Sequence, residues 1–394
     1  MNYQYQKLRT SLESNEHRVS GRVAGGAVPD PAAGLGVPGT VRTGPYADGV
    51  AVDQQTATGQ PAVFGGLERA EYEQLTRELT GFCYRMLGSP FDAEDAVQDT
   101  MIRAWRDLDR FEGRSSLRTW LHRIATNVCI DMLRARGRRS VPMDLQPPSS
   151  PPADGSQVGP LLTERTWVLP IPDARILAGS VDPAQHVVTR ETVRLAFVAA
   201  LQRLTPRQRA VLILRDVLQF SAAESAELLG TTVASANSAL QRARIALPAA
   251  GTASDDAGAG VSAPASTAGE VATGPDHALL EEYVSAFESY DVPRLTSLLR
   301  SDAVNSMPPL AMWLRGADHI GEWLLGPGAE CRGSRLLPTA ANGCAAYAQY
   351  RCDGSGGYSP WAIQVVETDG DRISALHCYV IPELFAVFGF PAAL

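Results

Sequence analysis

Lysine is almost missing from this chain. Lys7 is the single one in 394 residues, so arginine carries nearly all the positive charge. Paired cysteines are missing too. The six cysteines (83, 129, 331, 344, 352 and 378) are scattered without a C-x-x-C pair. That argues against a zinc site or a disulfide framework, and for a reducing, cytoplasmic setting. No uncharged apolar run reaches the roughly 18 residues of a membrane span, so no membrane partner is expected. The first twenty residues, "MNYQYQKLRTSLESNEHRVS", contain no apolar stretch and do not read as a secretory signal.

What is there is enough for packed cores: 45% of residues are hydrophobic, and the length implies two or three domains. Residues 1–66 are Gly-, Ala- and Pro-rich without a helix or strand period, and read as a disordered extension. Helical period runs through 67–139. Its first stripe is Tyr72, Leu75, Leu79, Phe82 and Met86. The second is Val97, Met101, Ala104, Trp105 and Leu108, with Asp92 as the expected helix cap. The third is Leu117, Trp120, Leu121, Ile124 and Val128. Residues 140–183 read as a linker, although Trp167, Val168, Leu169, Ile171 and Ile176 are apolar enough to dock. Helical period returns over 184–247. A second flexible linker, 248–275, leads to 276–394, where "CAAYAQYRC", "WAIQVVET" and "RISALHCYV" alternate like strands after two short helices. The expected fold class is multidomain: two all-α units followed by an α+β unit.

Net charge is −8, yet Arg103–Arg139 holds ten arginines against Asp107, Asp109, Glu112 and Asp131. The basic character therefore belongs to one local surface. On the third helix Arg118, His122, Arg123, Thr126, Asn127, Ile130 and Arg134 fall opposite the apolar stripe. Arginines there suit phosphates, and Asn127 suits a base edge. The preceding loop "FEGRSS" brings Gly113, Arg114, Ser115 and Ser116, a setting for an extruded base. A solvated basic face is the plain alternative. In "SAAESAELLGTTVASANSALQRAR" (221–244) two helices flank a Gly turn, the spacing of a helix-turn-helix. Val233, Ala236 and Leu240 are expected inside; Ser235, Asn237, Ser238, Gln241 and Arg242 outside. Thr205–Pro206 starts the supporting helix, whose Arg207 and Arg209 are expected near a DNA backbone. A plain helical bundle is the alternative here. Asp95, Gln98, Asp99, Ile102 and Arg106 form a part-acidic, part-apolar face, unsuited to DNA and suited to a protein.

These segments resemble the ECF class of bacterial σ70-type RNA polymerase σ factors. "DAEDAVQDTMIRAWRDLDRFEGRSSLRTWLHRIATNVCIDMLRARGRR" is similar to domain σ2, and "LTPRQRAVLILRDVLQFSAAESAELLGTTVASANSALQRAR" to domain σ4. The tail, with "WLRGADHIGEWL", resembles the SnoaL-like (NTF2-like) domain fused to some members. The resemblance implies RNA polymerase core (its β′ and β subunits) and promoter DNA as partners, and no cofactor. It implies that Asp95, Gln98 and Asp99 meet the β′ coiled coil. Arg114, Ser115, Arg118, Arg123, Thr126 and Asn127 would serve the −10 element, and Ser235, Asn237, Ser238, Gln241 and Arg242 the −35 element. Ser225 and Ala236 depart from the aliphatic residues usual in the helix-turn-helix.

The NTF2-like cone implied for 276–394 brings a pocket. Trp313, Trp323, Tyr347, Tyr350, Trp361 and His377 are candidate liners for a small-molecule ligand, unless they only fill the core. Asp302, Glu322 and Asp353 are further acid/base candidates, but no acid and base pair at a convincing spacing, so catalysis and a metal are not expected. Two other readings remain: a DNA-binding regulator acting without polymerase, which would not need the acidic face, and a ligand-converting enzyme with a DNA-binding N-terminus.

Overall fold

The computed structural model describes residues 68–113, 115–136, 138–152, 158, 161–162, 166–177, 190–247, 275–354 and 356–394. The expected disorder of 1–66, about half of 153–183 and nearly all of the 248–275 linker lie outside the described residues.

Three helices come first: α1 (Arg69–Leu87), α2 (Pro90–Asp107) and α3 (Leu117–Arg136). Gly88, at φ 70°, ends α1 in the left-handed region, where a side chain would be strained. The cap of α2 is Ser89, with Pro90 in the first turn, and not Asp92. Asp92 is buried instead and bonded to Arg139 at 2.6 Å. Trp105 also departs from its expected stripe: it is 62% exposed, at the rim of a groove between α1 and α2 and not in their core.

The second helical unit holds α4 (Leu195–Gln202), α5 (Pro206–Leu212), α6 (Ala222–Leu228) and α7 (Val233–Ala246). Thr205, Ser221 and Thr232 each cap the helix that follows by accepting a backbone N–H three residues on. This unit lies directly against the first. The guanidinium of Arg209 is buried, and donates to Leu201 O, to Gln202 and to Met86 O at the end of α1. It ties the two helical units together and does not reach toward DNA, as its place in the sequence had implied.

The last unit has α8 (Pro275–Glu288), α9 (Val292–Ser297), β1 (Leu299–Ser306), β2 (Trp313–Arg315), α10 (Ala317–Leu325), β3 (Arg335–Ala341), β4 (Cys344–Cys352), β5 (Tyr358–Asp369), β6 (Arg372–Tyr379) and α11 (Leu384–Phe388). The sheet order is β2-β1-β6-β5-β4-β3; β1 and β6 run parallel and the other pairs antiparallel. Alternation gives the sheet two faces. Tyr347, Val366 and Leu376 face the unit's own helices, together with Tyr283 and Trp323. Ala346, Ala348, Ile363, Val365 and Tyr379 join the core of the helical units.

The apolar linker segment docks where these parts meet. Trp167, Val168, Leu169 and Ile171 are at most 1% exposed, and Leu169 N donates to Gly88 O at 2.9 Å. The junction is closed by the β3–β4 turn. Asn342 and Gly343 have φ of 55° and 72°, a conformation that an Asn-Gly pair adopts readily. The buried Asn342 side chain accepts from Ile171 N at 2.9 Å and donates to Tyr84 Oη at 2.7 Å and Val193 O at 2.6 Å. Asn342→Ala takes the partner from buried Ile171 N and Val193 O and one of two bonds from Tyr84 Oη, so it should cost about 2–4 kcal/mol in urea unfolding. Asn342→Gly should cost about 1 kcal/mol less, since it removes only the bonds and not the ease of the left-handed backbone. Equal, near-zero effects would show that the turn does not hold the junction.

Candidate nucleic-acid interface

On α3 Arg123, Asn127, Asp131 and Arg134 are exposed, spaced by three or four residues. The neighbouring row is covered. Thr126 is fully buried and donates its hydroxyl to His122 O at 2.7 Å. His122 is fully buried between Phe82 and Phe220, with ring centroids at 5.5 and 5.2 Å. Arg118 is half-buried: it donates to Glu78 Oε1 at 2.6 Å and Leu218 O at 3.0 Å, and lies 4.2 Å over the Phe220 ring. Arg118, His122 and Thr126 are thus not on an open face. The segment Leu218–Phe220, from the second helical unit, packs on that side of α3. Ser115 is half-buried, and Arg114 lies outside the described residues.

The helix-turn-helix presents its outward set openly. Ser235, Asn237, Ser238, Gln241 and Arg242 are all exposed on α7, while Ala236, Leu240 and Ala243 are buried. Val233, expected inside, is 43% exposed at the first position of α7. The Ser225 hydroxyl is fully buried on α6 without a hydrogen-bond partner. Such a group costs on the order of 1 kcal/mol. Arg207 is exposed.

Asp95, Gln98 and Asp99 are exposed on α2. Ile102, at 43%, and Trp105 continue that side, and a groove of about 870 Å³ runs beside them between α1 and α2. Sequence reasoning had placed Trp105 inside and so missed an exposed aromatic beside the carboxylates.

In the C-terminal unit a cavity opens between the inner sheet face and α8, α10 and the turn Pro327–Cys331. Trp323 and Trp361 line it; Trp313, Tyr350 and His377 do not. Tyr350 and His377 sit at sheet positions of the opposite parity from the liners Gln349, Leu376 and Cys378. Trp313 donates to Gln146 O of the linker at 2.8 Å, and Tyr350 packs on Phe385. The polar liners Asn305, Gln349 and Gln364 were not anticipated, although a glutamine inside each of two apolar strand runs was a usable signal. His377 meets Ser306 Oγ at 2.8 Å and stands 3.6 Å from Glu367. Burial alone would raise the Glu367 carboxyl, but the hydrogen bond and charge of His377, with Arg194, hold it below the usual range. Ser306 is 1% exposed and does not line this cavity, so the row lies within the packed sheet.

Comparison with known proteins joins these faces to a family. Residues 72–139 match the Sigma-70 region 2 model and residues 194–247 the Sigma-70, region 4 model. The ECF RNA polymerase sigma factor SigG of Mycobacterium tuberculosis (strain ATCC 25618 / H37Rv) is 43% identical over 329 residues, 82% of this chain and 84% of that protein. SigJ of the same strain is 30% identical over 269 residues, 66% of this chain and 73% of that one. The crystal structure of M. tuberculosis SigJ matches the fold with a TM-score of 0.50 at 23% identity, covering 82% of this chain and all of that one. The protein is a σ70-type transcription initiation factor. It belongs to the ECF RNA polymerase sigma factors, and so binds core RNA polymerase and promoter DNA. None of the helices among the described residues is long and apolar enough to cross a membrane.

Burial lowers the His122 pKa from 6.5 to about 4, against the opposing charge of Glu78. The folded chain therefore holds His122 neutral, while the unfolded chain takes up its proton as pH falls below about 6.5. The contribution is complete above that value and is lost as pH drops toward 4. Urea-unfolding stability should fall by about 2 kcal/mol from pH 7 to pH 5 through this residue alone. The fall should be flatter in His122→Gln; an unchanged slope would assign it elsewhere.

Proposed function

We propose that the three exposed faces divide the work of promoter recognition. Asp95, Gln98 and Asp99, flanked by Ile102 and Trp105, meet the coiled coil of the β′ subunit, and the σ4 unit is carried on the β subunit. Arg123 and Asn127, with the loop 111–116, read the −10 element. Ser235, Asn237, Ser238, Gln241 and Arg242 read the −35 element. The working division is 67–139 for σ2, 184–247 for σ4 and 276–394 for the fused domain, acting in the cytoplasm. The observation that carries this reading is exposure: the base-reading candidates on α3 and α7 are polar and solvent-facing at helical spacing.

The packing adds a regulatory reading. With Leu218–Phe220 lying over Arg118 and His122, this conformation closes part of the −10 surface. The fused domain grips both helical units through Asn342 and the linker, and so favours this closed form. Core polymerase would have to separate σ2 from σ4 to expose the whole surface. The domain then acts by position.

The double variant Asp95→Arg, Asp99→Arg should fold normally and fail to co-elute with core polymerase. Retained co-elution would sink the assignment of that face. Asn127→Ala should relax preference at one −10 base, a loss of about 1–3 kcal/mol of discrimination. Arg123→Ala should weaken all promoters alike and reduce the salt dependence of binding. Run-off transcription on a −10 substitution series separates the two, and an unchanged base profile in Asn127→Ala would move the reader elsewhere.

A further inference from the structure

We infer that His122 is an acid-sensitive latch at the seam between the two helical units: on taking up a proton it releases the second unit from the −10 face of α3. The inference rests on the closed form described above and says what opens it.

The geometry is that of a sandwich. His122 stands on the side of α3 away from its apolar stripe, where helical period puts a residue in solvent. The second unit covers it instead. The Phe220 ring lies at 5.2 Å and the Phe82 ring of α1 at 5.5 Å, and His122 is 0% exposed. Its Nδ1 donates to Arg118 O at 2.9 Å, so in the neutral ring Nε2 carries a lone pair and no proton. That Nε2 is buried without a hydrogen-bond partner. Beside it, at 3.3 Å, stands Glu78 Oε1, an acceptor facing an acceptor.

The charges around the ring do not hold a proton on it in the closed form. Glu78 on α1 favours one, but the same Oε1 already accepts from Arg118 at 2.6 Å. Arg118, one turn earlier on α3, repels a second cation. In the second unit Arg215 donates to Phe220 O, and Glu224 on α6 accepts from Ser221 N. Arg209 on α5 turns away to the end of α1. Burial outweighs Glu78, and the ring pKa falls to about 4.

Separation of the units reverses the balance. With Phe220 gone, water reaches the ring and Glu78 remains beside it to favour the imidazolium. The open form then titrates at or above the ordinary value of about 6.5. Protons bind the open form more tightly and draw the equilibrium toward it. From pH 7 to pH 5 the ratio of open to closed chains should rise about twentyfold through this one residue. Opening also frees Arg118 from Leu218 O and from the Phe220 ring. Arg118 and the charged His122 then join Arg123 on the face that meets DNA.

The test places a donor–acceptor dye pair at Arg134→Cys on α3 and Arg207→Cys on α5, both exposed, in a full-length chain whose exposed Cys352 is replaced by serine. Energy transfer is followed from pH 7.5 to pH 5, with helix content read by circular dichroism at each step. Transfer should be high at pH 7.5 and fall toward pH 5 at constant helix content. In His122→Gln it should stay high throughout; His122→Leu, which keeps the seam apolar, serves where His122→Gln fails to fold. An equal fall in either variant, or a fall that coincides with loss of helix, overturns the inference. High wild-type transfer at every pH sinks the latch and leaves the closed form standing. Low transfer at every pH removes the closed form itself, and the regulatory reading with it.

Discussion

The arrangement of this σ factor turns on a single carboxamide. Asn342 reaches out of a hairpin turn into a buried junction of α1, the linker and the start of the second helical unit. Tyr84 completes the junction: its hydroxyl accepts from Asn342 and donates to Leu169 O at 2.7 Å. Apolar contact is not directional and would allow the outer sheet face, with its small Ala346 and Ala348, to slide over the helices. The hydrogen bonds are directional, and in a buried setting each broken one leaves an unpaired group. They fix one orientation of sheet against helices.

Arginine is used the same way in the helical units. Arg85 donates to Gly81 O and to Thr192, Arg139 to Trp167 O and Asp92, and Arg209 to carbonyls at the ends of α1 and α4. A guanidinium offers five donors in a fixed fork, enough to satisfy several carbonyl oxygens at a helix end. Burial lowers the Arg85 and Arg209 pKa values to about 10, and both stay charged at neutral pH. The near-absence of lysine therefore has a structural side. The local excess of arginine overstates the DNA-facing charge, because Arg118 and Arg139 face inward on the closed form.

This also explains what the sequence made legible and what it hid. Helical period located the helix-turn-helix and put Ser235, Asn237, Ser238, Gln241 and Arg242 outside, because a two-helix motif carries its own core in Ala236 and Leu240. The same period failed for Thr126 and His122. A period tells which residues share a face; it does not tell which face a segment a hundred residues away will cover. Arg207 and Arg209 show the limit most plainly, as two arginines two positions apart of which one is exposed and one is 2% exposed. In the sheet the error was of another kind. Candidate liners were chosen by residue type, whereas parity along β4 and β6 assigns Gln349 and Cys378 to the cavity and Tyr350 and His377 to the other face.

The linker touches both faces of the sheet unit. Residues 166–172 meet the turn after β3 and the outer-face core, while Gln146, Ser149 and Leu162 bond the segment around Pro309 and Trp313. A segment held at both ends by one domain cannot lengthen without breaking one set of contacts. Separation of σ2 from σ4 must draw on that same length of chain. The two holds differ in kind: the outer one is a buried, hydrogen-bonded lock around Asn342, and the inner one rests on backbone bonds and the Trp313 indole beside a cavity wall.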